Sequence, residues 1–145
     1  MSILSADKIK LNVSVKDKYE AIRIAGQLLV DAGHVSEPYL DAMIEREDSL
    51  STYMGGGLAI PHGTKEAKSL ITSTGLSVVV IPDGVEFSDG EKAYILVGIA
   101  AVGNEHMDIL TNVAMIFSED ENVERIKNAG SAEEIIEIFE SGMEE

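Results

Sequence analysis

Cysteine is absent from this sequence, and disulfides, thiolate nucleophiles and thiolate metal sites are excluded with it. Any covalent chemistry must therefore use another side chain. Positive charge is scarce: 11 Lys and Arg stand against 26 Asp and Glu, a formal net charge of −15. That balance argues against a nucleic-acid backbone or an anionic membrane as partner. It describes a solvated acidic surface, and it would help select a partner with a basic face. The same field repels small anions, so phosphate chemistry would require a local positive pocket. No apolar run approaches the roughly 18 to 20 residues that cross a bilayer, and "MSILSADKIK" lacks a basic segment followed by an apolar signal core. The expectation is a mature cytoplasmic protein.

Several motifs are missing too. The glycines of "GGGLAIPHG" are not followed by G-K-[ST] and do not match G-x-G-x-x-G, and no G-x-S-x-G elbow is present. His62, His106 and Asp108 do not make a zinc pattern, because there is neither H-E-x-x-H nor a cysteine pair. Most carboxylates fall in capping positions and on exposed helix faces.

What remains is ordinary globular material, 145 residues with 45% hydrophobic side chains, read as one domain over 1–145. Asp17 with Glu20 opens an amphipathic pattern through Leu28 and Leu29, and Gly33 suits the position past its end. Ser36 can cap a second helix, with Pro38 in its first turn, Tyr39, Leu40, Met43 and Ile44 as its apolar face, and an end near Asp48. Strand patterns follow at Leu58 to Ile60, Val78 to Ile81 and Tyr94 to Val102, with Val85 to Phe87 pairing back beyond Pro82-Asp83-Gly84 as a hairpin arm. Asn104 can cap a third helix, while Ser118 with Glu121 and Ser131 with Glu134 read as capping boxes for two more. The expected fold is α/β, a single compact domain with a mixed sheet flanked by helices on both faces.

Of the three histidines, His62 sits between Pro61 and Gly63 at a strand end, where proline stops the strand and glycine lets the chain turn. His106 lies between a strand and a helix. If the two strands are parallel neighbours, both histidines reach one crevice beyond the carboxyl ends, where ligands of open α/β sheets gather. An imidazole with one nitrogen held by a hydrogen bond can be a nucleophile at neutral pH, and phosphoryl transfer asks for little beyond positioning and charge stabilisation. Arg46 offers a planar cationic fork, and Lys65 and Lys68 could offset the acidic field. Taken alone, Arg46 reads as a helix-face residue between Glu45 and Glu47, and His106 fits a helix-capping role as well as a catalytic one. His34, after a helix end, reads as a surface residue.

The stretch "TYMGGGLAIPHGTKEAK", with "IEREDS" upstream and "GIAAVGNEHMDIL" downstream, resembles the mannitol/fructose class of enzyme IIA of the bacterial phosphoenolpyruvate-dependent sugar phosphotransferase system, and is most similar to its mannitol branch. The resemblance covers essentially the whole chain. It implies that His62 accepts a phosphoryl group from phospho-HPr and passes it to a cysteine of the cognate IIB. It also implies that His106 is the second active-site histidine, that Arg46 supports the phosphorylated state, and that no metal or organic cofactor takes part. Some relatives carry an acidic residue near Gly56 that could orient the histidine; here a main-chain group or a neighbour must set the tautomer. Without cysteine the chain cannot include a working IIB domain, so a stand-alone IIA protein is expected. Two alternatives accompany this reading: a fructose-branch IIA, and a regulatory module of similar fold whose phosphorylation alters its protein contacts.

Overall fold

In the computed structural model, Asp17 caps helix α1 (Lys18–Asp31) by accepting the Glu20 N–H at 2.9 Å, as the sequence predicts. Such a cap is worth about 1 kcal/mol. The structure describes residues 4–88, 90–103 and 105–143, without the side chains of 88, 106, 142 and 143. Helix α1 ends in a Schellman motif, with Gly33 N–H bonded to Val30 O and His34 N–H to Leu29 O, both at 3.0 Å. Helix α2 (Tyr39–Ser49) follows, with Pro38 as its N-terminal boundary. Ser36 contributes its carbonyl rather than its hydroxyl, accepting the Tyr39 N–H at 3.0 Å.

The remaining elements are strands β1 (Ile9–Lys10), β2 (Tyr53–Gly55), β3 (Leu58–Ala59), β4 (Gly75–Ser88) and β5 (Glu91–Ala100), and helices α3 (Glu105–Phe117), α4 (Asp120–Lys127) and α5 (Ala132–Met143). A 3-10 turn covers Lys65–Leu70. The strands form a mixed sheet in the order β1-β4-β5-β3-β2, with β1 parallel to β4, β3 parallel to β5, and the other two pairings antiparallel. Side chains alternate across it. Val79, Ile81, Leu96 and Ala100 pack with α1 and α2, while Val78, Val80, Ile95, Val97 and Ile99 pack with α3, α4 and α5. Because both faces are buried, the two long strands read as continuous apolar runs.

Two expectations are corrected. Pro82-Asp83-Gly84 does not reverse the chain: β4 continues through it, and the ladder with β5 shifts between Val80↔Ile95 and Val85↔Ala93. The segment is a bulge, with Gly84 at φ +74° and a hypothetical Cβ there only 2.7 Å from the Tyr94 ring. A long antiparallel partner paired on both sides of the bulge outweighs the local turn signal. Ser118 also fails as a cap, since its hydroxyl donates back to Met115 O at 2.7 Å and Glu119 bounds α4 without a side-chain bond. The Ser131 cap holds, with its Oγ accepting the Glu134 N–H at 3.4 Å. Asn104 lies outside the described residues.

Candidate functional site

The parallel adjacency on which the two histidines depend is present: Leu58 pairs with Ile95 and Ala59 with Leu96. The ladder extends past the last residue of β3, because Ile99 N–H donates to Pro61 O at 3.0 Å. On the other side, Ile60 N–H donates to Thr52 O at 3.0 Å. His62 therefore leaves the sheet at the carboxyl end of two parallel strands. The three glycines before it all have positive φ and form the turn between β2 and β3, which returns the chain into the sheet.

The imidazole of His62 is oriented by the backbone. Its Nδ1 lies 2.8 Å from Ile60 O. A carbonyl oxygen can only accept, so Nδ1 carries the proton and the ring lone pair is assigned to Nε2. This supplies the main-chain group that the glycine-only turn at Gly56 requires. The residues flanking the histidine are also held. Gly63 N–H donates to the Tyr39 hydroxyl at 2.9 Å, and a Cβ on Gly63 would lie 2.6 Å from the Tyr39 ring, so only glycine fits there.

His62 and Arg46 line the same cleft of about 510 Å³, together with Thr64, Lys65, Lys68 and Met107. The Arg46 guanidinium donates through a terminal nitrogen to the Leu50 carbonyl, an arrangement that closes the end of α2 and holds one arm of the fork. Lys68 Nζ donates to Gly103 O at 3.1 Å, tying the turn after His62 to the loop that enters α3. Backbone position 106 falls in the first turn of α3, beside cleft-lining Met107; the His106 side chain lies outside the described residues. The cleft thus concentrates an arginine and two lysines on a chain of net charge −15. That is the local positive pocket an anionic group would need. Among the described residues no cluster of His, Asp and Glu could hold a metal.

Comparison with known proteins gives a consistent result. Residues 2–142 match the family "Phosphoenolpyruvate-dependent sugar phosphotransferase system, EIIA 2". The chain belongs to this family. It is 51% identical over 139 residues to the mannitol-specific phosphotransferase enzyme IIA component of Bacillus subtilis (strain 168), covering 96% of this chain and 97% of that one. The corresponding Geobacillus stearothermophilus protein is 49% identical over 96% of each chain. Among solved structures, the IIA chain in the Escherichia coli complex of enzyme IIAMTL and phosphorylated enzyme IIBMTL superimposes with a TM-score of 0.91 at 35% identity, covering 97% and 99% of the two chains. Nitrogen regulatory protein IIA-Ntr of Neisseria meningitidis matches with a TM-score of 0.81 at 26% identity, over 94% and 96%.

Within this EIIA 2 domain, three groups differ from their sequence reading, and of these only Tyr39 lines the cleft. Tyr39 reads as part of an apolar helix face, yet its buried hydroxyl bonds the histidine loop; the signal was that a buried tyrosine needs a partner for its O–H. Glu47 reads as exposed but is buried, accepting Thr52 N–H and Thr52 Oγ1–H at 2.7 Å each and Lys18 Nζ at 3.1 Å. Burial pushes its carboxyl up, but the bonds from Ser51, Thr52 and Lys18 outweigh burial and hold it below its ordinary value. His34 is corrected as well: it is half-buried, receives Lys8 Nζ on Nε2 at 2.7 Å and donates from Nδ1 to Ser73 Oγ, 2.8 Å away. It stands outside the cleft.

Proposed function

We propose that this EIIA 2 chain is a phosphocarrier whose His62 accepts a phosphoryl group from phospho-HPr on Nε2 and passes it to a cysteine of a mannitol-type IIB. The observation that carries the reading is the bond from His62 Nδ1–H to Ile60 O, which assigns the nucleophilic lone pair to Nε2 in a residue lining a cationic cleft. In the step, Nε2 bonds to phosphorus while the bond from phosphorus to the donor breaks. The proton on Nδ1 stays on the ring, where Ile60 O stabilises the positive charge that develops. Transfer onward reverses the pattern, with a thiolate of the partner forming the new bond. Arg46 serves the phosphorylated state as a guanidinium at the cleft wall, and His106 completes the site as a second imidazole.

The mannitol assignment rests on relatives about half identical to this chain and on the E. coli IIA, whose structure was determined with phosphorylated IIBMTL. The regulatory reading draws on the likeness to the Neisseria nitrogen regulatory protein, which is half as similar in sequence. HPr and IIB would meet the same cleft and therefore compete, through small, short-lived interfaces. No helix among the described residues is long and apolar enough to cross a membrane. A cytoplasmic setting, where phosphoenolpyruvate is at hand, belongs to the same proposal.

The test is transfer from phosphoenolpyruvate through enzyme I and HPr onto the wild type and His62→Ala, followed by addition of mannitol-type or fructose-type IIB. The expected result is one acid-labile phosphoryl group on the wild type, none on the variant, and discharge to the mannitol IIB. Discharge only to the fructose IIB would move the chain to that branch. Label that discharges to neither IIB would favour the regulatory reading, and no label on folded wild type would overturn the carrier reading.

A further inference from the structure

Two backbone groups flank His62, and both lead to one residue of β5. Pro61 O accepts the N–H of Ile99 directly, at 3.0 Å. Gly63 N–H reaches the same residue through Tyr39, whose hydroxyl accepts from Gly63 at 2.9 Å and donates to Ile99 O at 3.1 Å. The peptide segment carrying His62 is thus fastened on both sides to Ile99, once by the ladder and once by a side-chain bridge. Tyr39 is 3% exposed, and its ring fills the space a Cβ on Gly63 would need. Burial raises its phenol well away from ionisation, so the hydroxyl keeps the proton that it donates to Ile99.

We infer that Tyr39 is a positioning residue for the phosphoryl transfer proposed above, holding the His62 loop so that the imidazole keeps its bond to Ile60 O and presents Nε2 to the donor. The inference rests on the carrier reading for its kinetic consequence alone; its structural consequence does not need it. Helix α2 could pack with phenylalanine at this position, since the ring supplies the apolar contact. The hydroxyl adds something packing does not require: it satisfies a donor and an acceptor that would otherwise be left unmatched beside the nucleophile. With that bridge gone, the segment after His62 is fixed on one side only. The ring then loses its single tautomer, and the geometry of attack loosens, a change that costs reaction rate steeply.

The experiment compares wild type with Tyr39→Phe in two readouts. The first is the 15N and 1H spectrum of His62 in the unphosphorylated protein, which reports the tautomer without any donor present. The expected result is mainly Nδ1–H in the wild type and a mixed population in the variant. The second is the rate of phosphoryl acceptance from phospho-HPr: a fall of about tenfold in the maximal rate, with the donor concentration for half-maximal rate unchanged, as a loosened nucleophile predicts. A general packing defect would instead leave the tautomer and the maximal rate per folded molecule untouched, and that outcome would overturn the inference. Should the wild type take no label, the carrier reading falls, while the tautomer spectra still decide the positioning claim. Amide exchange in the wild type serves if the variant fails to fold: Gly63 N–H must be protected to the degree of Ile99 N–H, and rapid exchange at Gly63 would rule the bridge out.

Discussion

His34 and His62 make an instructive pair. Each follows the end of a regular element, and each has Nδ1 held by a neighbour, Ser73 Oγ in one case and Ile60 O in the other. They differ at the rest of the ring. His34 gives its Nε2 to the buried Lys8 ammonium at 2.7 Å and braces the strap before β4 with its own carbonyl, which accepts the N–H of Thr72 at 2.7 Å. His62 stands in the wall of a cleft beside Arg46, Lys65 and Lys68. The first arrangement uses the imidazole as a structural acceptor, and the second places it in the wall of a cavity lined by three cationic side chains. The two rings share a held Nδ1 and differ in their surroundings.

Replacing each histidine in turn by alanine is the sharpest way to break this comparison. Phosphoryl acceptance in His34→Ala, corrected for the folded fraction, should stay within about twofold of wild type, because none of the His34 contacts enters the cleft. Complete loss should occur only in His62→Ala. Equal losses in the two variants would erase the distinction.

The next effect concerns the charges locked away from the cleft. Lys18→Met removes the ammonium 3.1 Å from the fully buried Glu47 side chain. At neutral pH it should destabilise the fold by about 2 kcal/mol, discounted from the cost of orphaning a fully buried charge because Lys18 reaches water. Glu47 lies below its ordinary value of 4.5 in the folded protein, so its contribution is complete above that value and is lost as pH falls through the folded one. The gap between wild type and Lys18→Met in denaturant unfolding should therefore close in acid. A gap independent of pH would contradict the ion-pair account.

The smallest effect is the pH response of His34. Burial, and then the charge of Lys8, holds this imidazole below its ordinary value of 6.5. The unfolded chain then binds the proton more readily than the folded one, so stability falls as pH is lowered from 6.5 toward the folded value. His34→Gln should flatten the denaturant midpoint in that window relative to wild type. An identical slope in both proteins would show that His34 does not titrate there.

The same pair shows what could be read from the chain alone. Pro61 and Gly63 announce the position of His62 because their constraints are local, and the Asp17 cap and the Gly33 helix end are legible for the same reason. Contacts made across the fold are not. Lys8 lies 26 residues before His34, and nothing near either one signals the other. The strand pattern at Leu58 is legible, but its parallel pairing with β5 rests on a ladder two residues long, too short to announce a partner or a direction. The bulge at Gly84 reads as a turn because its sequence is that of a turn, and only the Tyr94 ring and the β5 register reveal the continuation. Tyr39 hides among the apolar residues of α2 because its ring does belong to the core, while its hydroxyl belongs to the site.

The central claim is that Ile60 O fixes the tautomer of His62 and thereby selects Nε2 as the phosphoryl acceptor. The most direct measurement is the 15N spectrum of the phosphorylated protein, labelled from phosphoenolpyruvate through enzyme I and HPr. Phosphorus coupled to Nε2 of His62, with the proton retained on Nδ1, is the predicted result. Phosphorus on Nδ1 of that ring, or on any other residue, would contradict it.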